Sequence, residues 1–115
     1  MADAVGAEQA FFSTCGSSLS VKAAMLAVAG SQGDLLISRD AHKSVVAGLV
    51  FGGIQPWWIR PCYDERLHLA HPPSPQQVEE AWQQRPDAAG ALIVSPTPYG
   101  TWRRLADRLT ASPPA

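Results

Sequence analysis

The 115-residue sequence predicts an α/β fold, a partial parallel sheet in a three-layer arrangement with helical crossovers. Three observations carry this expectation. Segments rich in Ala, Leu and Val alternate with short apolar runs bounded by turn residues. Successive apolar runs are separated by stretches long enough to form a crossover helix, the connection that parallel strands require. The apolar share, 46%, is that of an ordinary globular chain rather than a disordered one.

Each element has a local reason. Ser17 to Gly30 (SSLSVKAAMLAVAG) is built from good helix formers, with Ser17 or Ser18 available as a cap and Gly30 as a stop. Gly33-Asp34 is turn chemistry, and Leu35-Leu36-Ile37 is a short run of buried-strand type. Ala41–Gly52 has Val45, Val46, Leu49 and Val50 at helical spacing and ends on Gly52-Gly53. Ile54 to Ile59 has the β-branched and aromatic content of a strand, and Pro56 assigns its first half to an edge or strand end. Arg60 to Pro73 reads as a loop. Ser74-Pro75-Gln76-Gln77 is a strong helix start, with a cap, proline at the first position and Gln three residues after the cap. That helix should run to about Arg85, before Pro86. Ala91-Leu92-Ile93-Val94 is a third strand, Ser95 to Gly100 a proline-rich loop, and Thr101 to about Thr110 a final helix.

Composition excludes several functions. Nine Lys plus Arg against ten Asp plus Glu leave a net charge of −1, without the basic footprint of a nucleic-acid binder. The longest apolar stretches, Ala23–Ala29 and Val45–Ile54, fall short of the roughly 20 residues of a membrane span. Met1-Ala2-Asp3 lacks the basic and apolar regions of a secretory signal, so a cytoplasmic location is expected. Two cysteines, Cys15 and Cys62, do not make a disulfide framework. His68-x-x-His71 supplies two possible ligands without a third, so no metal site is expected. Adjacent Trp57 and Trp58 on a strand point to opposite faces, one of them toward a core. Asp64 and Glu65 read as a solvated loop rather than a paired acid site.

Open parallel sheets bind ligands outside the carboxyl ends of their strands. Three loops fall there: Phe12–Ser20, Ser38–Ser44 and Ser95–Gly100. In the first, Gly16, Ser17 and Ser18 stand at a helix N-terminus, where backbone N–H groups and the helix dipole favour an anion. It is not a P-loop, because no Gly-Lys-Ser/Thr follows. In the second, His42 follows a strand directly, where a neutral imidazole can stack on an aromatic ligand. Taken alone, Ser- and Gly-rich caps are common and a lone histidine is more often structural. Lys22 and Lys43 are the only lysines. With His42 facing the crevice, Lys43 is turned away from it and reads as a surface or capping group.

The strings FFSTCGSSLSVKAAMLAVAG, GDLLISRDAHKSVVAGLVFGGIQP and PSPQQVEEAWQQRPDAAGALIVSPTPYG resemble the pyridoxal-phosphate-dependent ornithine/lysine/arginine decarboxylase family. Three signatures occur in order: a T-x-G-S/T-S/T phosphate loop, an H-K-S after the first strand and an S-P-T-x-Y-G after the third. The resemblance implies the N-terminal part of the major domain, a large domain of the aspartate-aminotransferase-like type. It divides the chain into a lead-in over 1–10, a partial cofactor-binding domain over 11–100 and a divergent tail over 101–115.

By that resemblance, Gly16, Ser17 and Ser18 hold the phosphate of pyridoxal 5'-phosphate, His42 stacks on its pyridine ring, and Thr97 borders the site. The family's partners are an amino-acid substrate and further copies of the same chain. Its Schiff-base lysine stands in an S-x-H-K motif, and the aspartate that keeps the pyridine nitrogen protonated stands in a D-E-A-x-G-x-H segment. Neither motif occurs in these 115 residues. No catalytic residue is therefore assigned, and the expectation is a truncated or frameshifted decarboxylase portion, inactive alone, marginally stable and prone to associate. The alternative is a small non-enzymatic α/β binding or interaction domain. An unrelated nucleotide-binding protein is disfavoured by the lack of a GxGxxG or Walker-type loop.

Overall fold

A computed structural model describes residues 1–30 and 33–102. A single 3-10 turn at Asp3–Val5 precedes the first helix, α1 (Ser17–Ala29). Strand β1 (Asp34–Ser38), helix α2 (Lys43–Gly52) and strand β2 (Gln55–Ile59) follow. A short hairpin of β3 (Cys62–Asp64) and β4 (Leu69–His71) leads to helix α3 (Pro75–Gln84) and strand β5 (Gly90–Leu92). The main sheet has the order β2-β1-β5, and both pairings are parallel. In register, Leu36 lies beside Trp57 on one side and Ala91 on the other.

The central strand explains the layers. Consecutive residues of a strand face opposite sides of the sheet. Leu35 and Ile37 enter one core with Met25 and Ala29 of α1, Val45 and Leu49 of α2, and Ile54. Leu36 enters the other, with Ile59 and with Val78 and Ala81 of α3. All of β1 after Asp34 is buried, so its continuous apolar run reads as a strand covered on both faces. The expected three-layer parallel arrangement is thus what the chain forms. Helix α2 carries the chain from β1 to β2 on one face, and α3 carries it from β2 to β5 on the other.

Boundaries shift by small amounts for identifiable reasons. Ser17 and Ser18 do not cap α1; Gly16 occupies the N-cap position, with no side-chain cap bond. Helix α2 starts two residues later than Ala41 because His42 caps it, its Nδ1 accepting from the Ser44 N–H. Gly53 closes it in the left-handed conformation, at φ 61°, a region glycine enters without a Cβ penalty. Helix α3 begins on a complete capping box: Gln77 N–H donates to Ser74 Oγ at 3.2 Å, and Ser74 N–H donates to Gln77 Oε1 at 2.8 Å. Strand β5 ends at Leu92, so Ile93 and Val94 continue it only in direction.

The stretch from Arg60 to Pro73 is more ordered than a loop. Cys62 pairs with His71 and Asp64 with Leu69 in an antiparallel hairpin. Asp64 Oδ1 accepts from the N–H groups of Arg66 and Leu67, each at 2.9 Å, and thereby shapes the turn. The Cys62 thiol donates to Gln77 Oε1 at 3.2 Å, tying the hairpin to the start of α3. Trp57, on the α3 face, lies under the Arg85 guanidinium at 4.6 Å, while Trp58 is on the opposite face and exposed. The helix expected from Thr101 begins on two non-helical residues, and its remainder lies outside the described residues. Among the described residues no helix is long and apolar enough to cross a membrane.

Candidate cofactor-binding site

The first helix runs antiparallel to β1, because only the short segment between Ala29 and Asp34 joins them. Its start therefore lies at the carboxyl end of the sheet. Thirteen residues rise about 20 Å, more than the ~17 Å of five strand residues, so the helix N-terminus reaches past the strand end. Helix α2 starts at the same end, with four residues between it and the close of β1. The two helices pack closely: a Cβ on Gly48 would stand 2.9 Å from Met25 Sδ.

At the start of α1 the backbone takes a conformation that leaves room beside it. Gly16 adopts φ 78° and ψ 167°, a conformation essentially reserved for glycine. A Cβ built there would meet nothing within 4 Å, so the space beside it is open. Leu19 N–H and Ser20 N–H turn back to the Gly16 carbonyl at 3.2 and 3.4 Å. The N–H groups and hydroxyls of Ser17 and Ser18 have no partner among the described residues, and both side chains are exposed. No acidic residue sits in the first turn. Unpaired donors and the positive end of the helix dipole thus coincide at this point.

His42 is exposed at the N-cap of α2. Its Nδ1 accepts from Ser44 N–H at 3.2 Å and lies 3.0 Å from Ser44 Oγ. Between β1 and His42, Ser38 Oγ donates to Asp40 Oδ1, and the second carboxylate oxygen of Asp40 is buried without a hydrogen-bond partner among the described residues. Thr97 is buried, and its hydroxyl pairs with Thr101 Oγ1 at 2.6 Å. The Thr97 N–H donates to the Thr101 carbonyl at 2.8 Å, closing a turn after the cis Ser95-Pro96 bond. The fold thus brings Gly16, Ser17, Ser18 and His42 to one edge of the sheet, with Thr97 in the loop beyond β5. The Thr97 hydroxyl is already engaged within its own turn.

Neither lysine stands in this group in a way that would anchor a carbonyl compound. Lys22 places its ammonium 5.8 Å from the Phe51 ring centre, toward the far end of α2, and Lys43 is exposed on the first turn of α2. Sequence reading missed Ser44 and Asp40. The Ser44 hydroxyl had a signal, since it lies two residues after a histidine at a helix start. Among the described residues no group of three or more His, Cys, Asp or Glu is placed to hold a metal ion.

An open parallel sheet with helices on both faces, a glycine-led helix start and an exposed imidazole at its carboxyl edge make up the α/β architecture of this chain. The chain belongs to the Orn/Lys/Arg decarboxylase family, whose major-domain model matches residues 1–109. Over 99 residues it is 35% identical to the arginine decarboxylase of Bacillus subtilis (strain 168), covering 86% of this chain and 20% of that protein. The same figures hold for the arginine decarboxylase of Halalkalibacterium halodurans. An uncharacterized protein of Bacillus subtilis, YaaO, is 29% identical over 105 residues, covering 91% of this chain and 22% of that one. The chain spans about one fifth of the length of the curated relatives it matches. No solved structure matches.

The residues present fit part of the cofactor on which this family generally depends. Gly16 with Ser17 and Ser18 suits the phosphate of pyridoxal 5'-phosphate, since two unpaired N–H groups stand at a helix start beside the open space at Gly16. The exposed His42 ring suits the face of the pyridine.

Proposed function

We propose that this chain is the phosphate-cradling and ring-stacking portion of a pyridoxal-phosphate-dependent basic amino-acid decarboxylase. The supporting observation is the Gly16–Ser18 turn, whose free donors stand at the sheet edge that also carries His42. When bound, the cofactor supplies an electron sink that stabilises negative charge at the substrate carbon losing carbon dioxide. The chain's own residues bind and orient. The N–H groups of Ser17 and Ser18 grip the phosphate, aided by the dipole of α1, and His42 holds one ring face.

Domain limits of 11–100 for the binding unit, with 1–10 as lead-in and 101–115 as tail, accompany this reading. So does association with further copies of the chain. Arginine is the first substrate to test on a complete protein containing this segment, since relatives carry that name. The 115 residues alone are proposed to lack turnover, because the S-x-H-K and D-E-A-x-G-x-H motifs are absent from them.

Amide chemical-shift mapping tests the reading on the labelled chain. Added pyridoxal 5'-phosphate should move the amide resonances of Ser17 and Ser18 and the ring resonances of His42. Pyridoxal without its phosphate should leave the two serines in place. Equal effects of the two compounds, or shifts that avoid these residues, would sink the proposal.

A further inference from the structure

We infer that Ser44 is a positioning residue for His42, fixing the tautomer of its imidazole, with the proton on Nε2 and Nδ1 turned onto the start of α2. The inference rests on two contacts to a single ring nitrogen. The backbone N–H of Ser44 points at Nδ1 from 3.2 Å, and Ser44 Oγ lies 3.0 Å from the same atom. A ring nitrogen accepts an N–H only through a free lone pair, so Nδ1 carries no proton and the neutral ring carries it on Nε2. The Ser44 hydroxyl, 3.0 Å away, shares that single lone pair with the backbone N–H in a three-centre arrangement. Protonating Nδ1 would set two N–H groups against each other and leave the first turn of α2 without its cap.

Burial separates the two partners. Ser44 is 8% exposed, held in the packed start of α2, whereas His42 is exposed. A rigid side chain thus orients a ring that solvent alone would leave free to rotate. The backbone agrees: His42 has φ −65° and ψ 153°, the extended conformation from which an N-cap side chain folds back over its helix. Resting on the function proposed above, this deepens it. A neutral imidazole can lie flat on a protonated pyridine ring, whereas an imidazolium there would set like charges face to face.

The test is a long-range proton–nitrogen correlation spectrum of the histidine rings in the full ¹⁵N-labelled chain, with no cofactor added. His68→Asn and His71→Asn variants assign the His42 signals by elimination. The wild type should show one tautomer, with unprotonated Nδ1 and protonated Nε2. Ser44→Ala should shift both nitrogens toward the average of the two tautomers, and Ser44→Thr should restore the wild-type pattern. Lys43→Ala, at the adjacent exposed position, should change nothing. Where Ser44→Ala does not fold by circular dichroism, Ser44→Cys replaces it, keeping the volume while weakening the donor. A wild-type ring protonated at Nδ1 overturns the inference, as does a folded Ala or Cys variant with an unaltered pattern. The cofactor experiment stands apart: loss of pyridoxal phosphate binding with the tautomer intact removes only the functional reading.

Discussion

At the scale of single residues, Gly16 shows a backbone requirement that only glycine meets without strain. Its φ of 78° and ψ of 167° are open to glycine and strained for any other residue, although a Cβ would meet no atom within 4 Å. Gly16→Ala is therefore expected to cost about 1–3 kcal/mol through the backbone alone. It should also place a methyl group where the phosphate approaches. A urea melt measures the first effect and the amide shifts of Ser17 and Ser18 under added pyridoxal phosphate measure the second. An alanine variant as stable as the wild type would contradict the strain argument. That Gly16 stands where α1 begins was legible in the sequence, because a glycine followed by two serines ahead of an Ala- and Leu-rich run marks a helix start. The cap made by His42 was not legible. Histidine is outside the usual cap set of Ser, Thr, Asp and Asn, and nothing in a string of letters shows which way an imidazole turns.

Among the elements, long apolar runs and strong caps declared themselves, and marginal ones did not. Leu35-Leu36-Ile37 is buried on both faces, and the Ser74–Gln77 box forms with both of its hydrogen bonds. The β3–β4 hairpin escaped because each strand has three residues and the segment shows no alternation of apolar and polar positions. Its stability comes from side chains that cannot be paired by eye: Asp64 in the turn, and Cys62 against Gln77 of a distant helix. Likewise Arg85, at the end of α3, meets Asp34 at 3.6 Å and covers the ring of Trp57, a junction of three segments. The central strand offers a sharper test. Leu36 is fully buried and supplies the α3 face with its central side chain. Leu36→Ala should cost about 2–5 kcal/mol, lowering the urea midpoint accordingly. A change under 1 kcal/mol, well below that range, would mean that α3 packs elsewhere.

Across the whole molecule, two small cores share one strand, and much apolar surface stays in contact with water. Val50 and Phe51 on α2 are 75% and 78% exposed, and Phe11 and Phe12 before the cradle are 88% and 83% exposed. Among the described residues β5 is paired on one side only, so its other edge offers free N–H and C=O groups. Surface of this kind favours association. Sedimentation of the chain over a hundredfold range of concentration should show a rising mean mass, and an unchanging monomer would count against that expectation. The three-layer order was legible because alternating helices and apolar runs admit few arrangements. How much of each helix face stays bare was not, since that depends on which residues meet in space.

The shared strand also sets a timetable. Most of what covers Leu35 and Ile37 has been made once Ile54 leaves the ribosome, Leu92 excepted, but the helix that covers Leu36 comes only with residues 75 to 84, and the second pairing of β1 only with residues 90 to 92. At about 5–20 residues per second, one face of the sheet is dressed a few seconds before the other. For that interval the nascent chain presents Leu36 and the Trp57 ring uncovered by α3, a transient apolar face added to the one that stays exposed on α2.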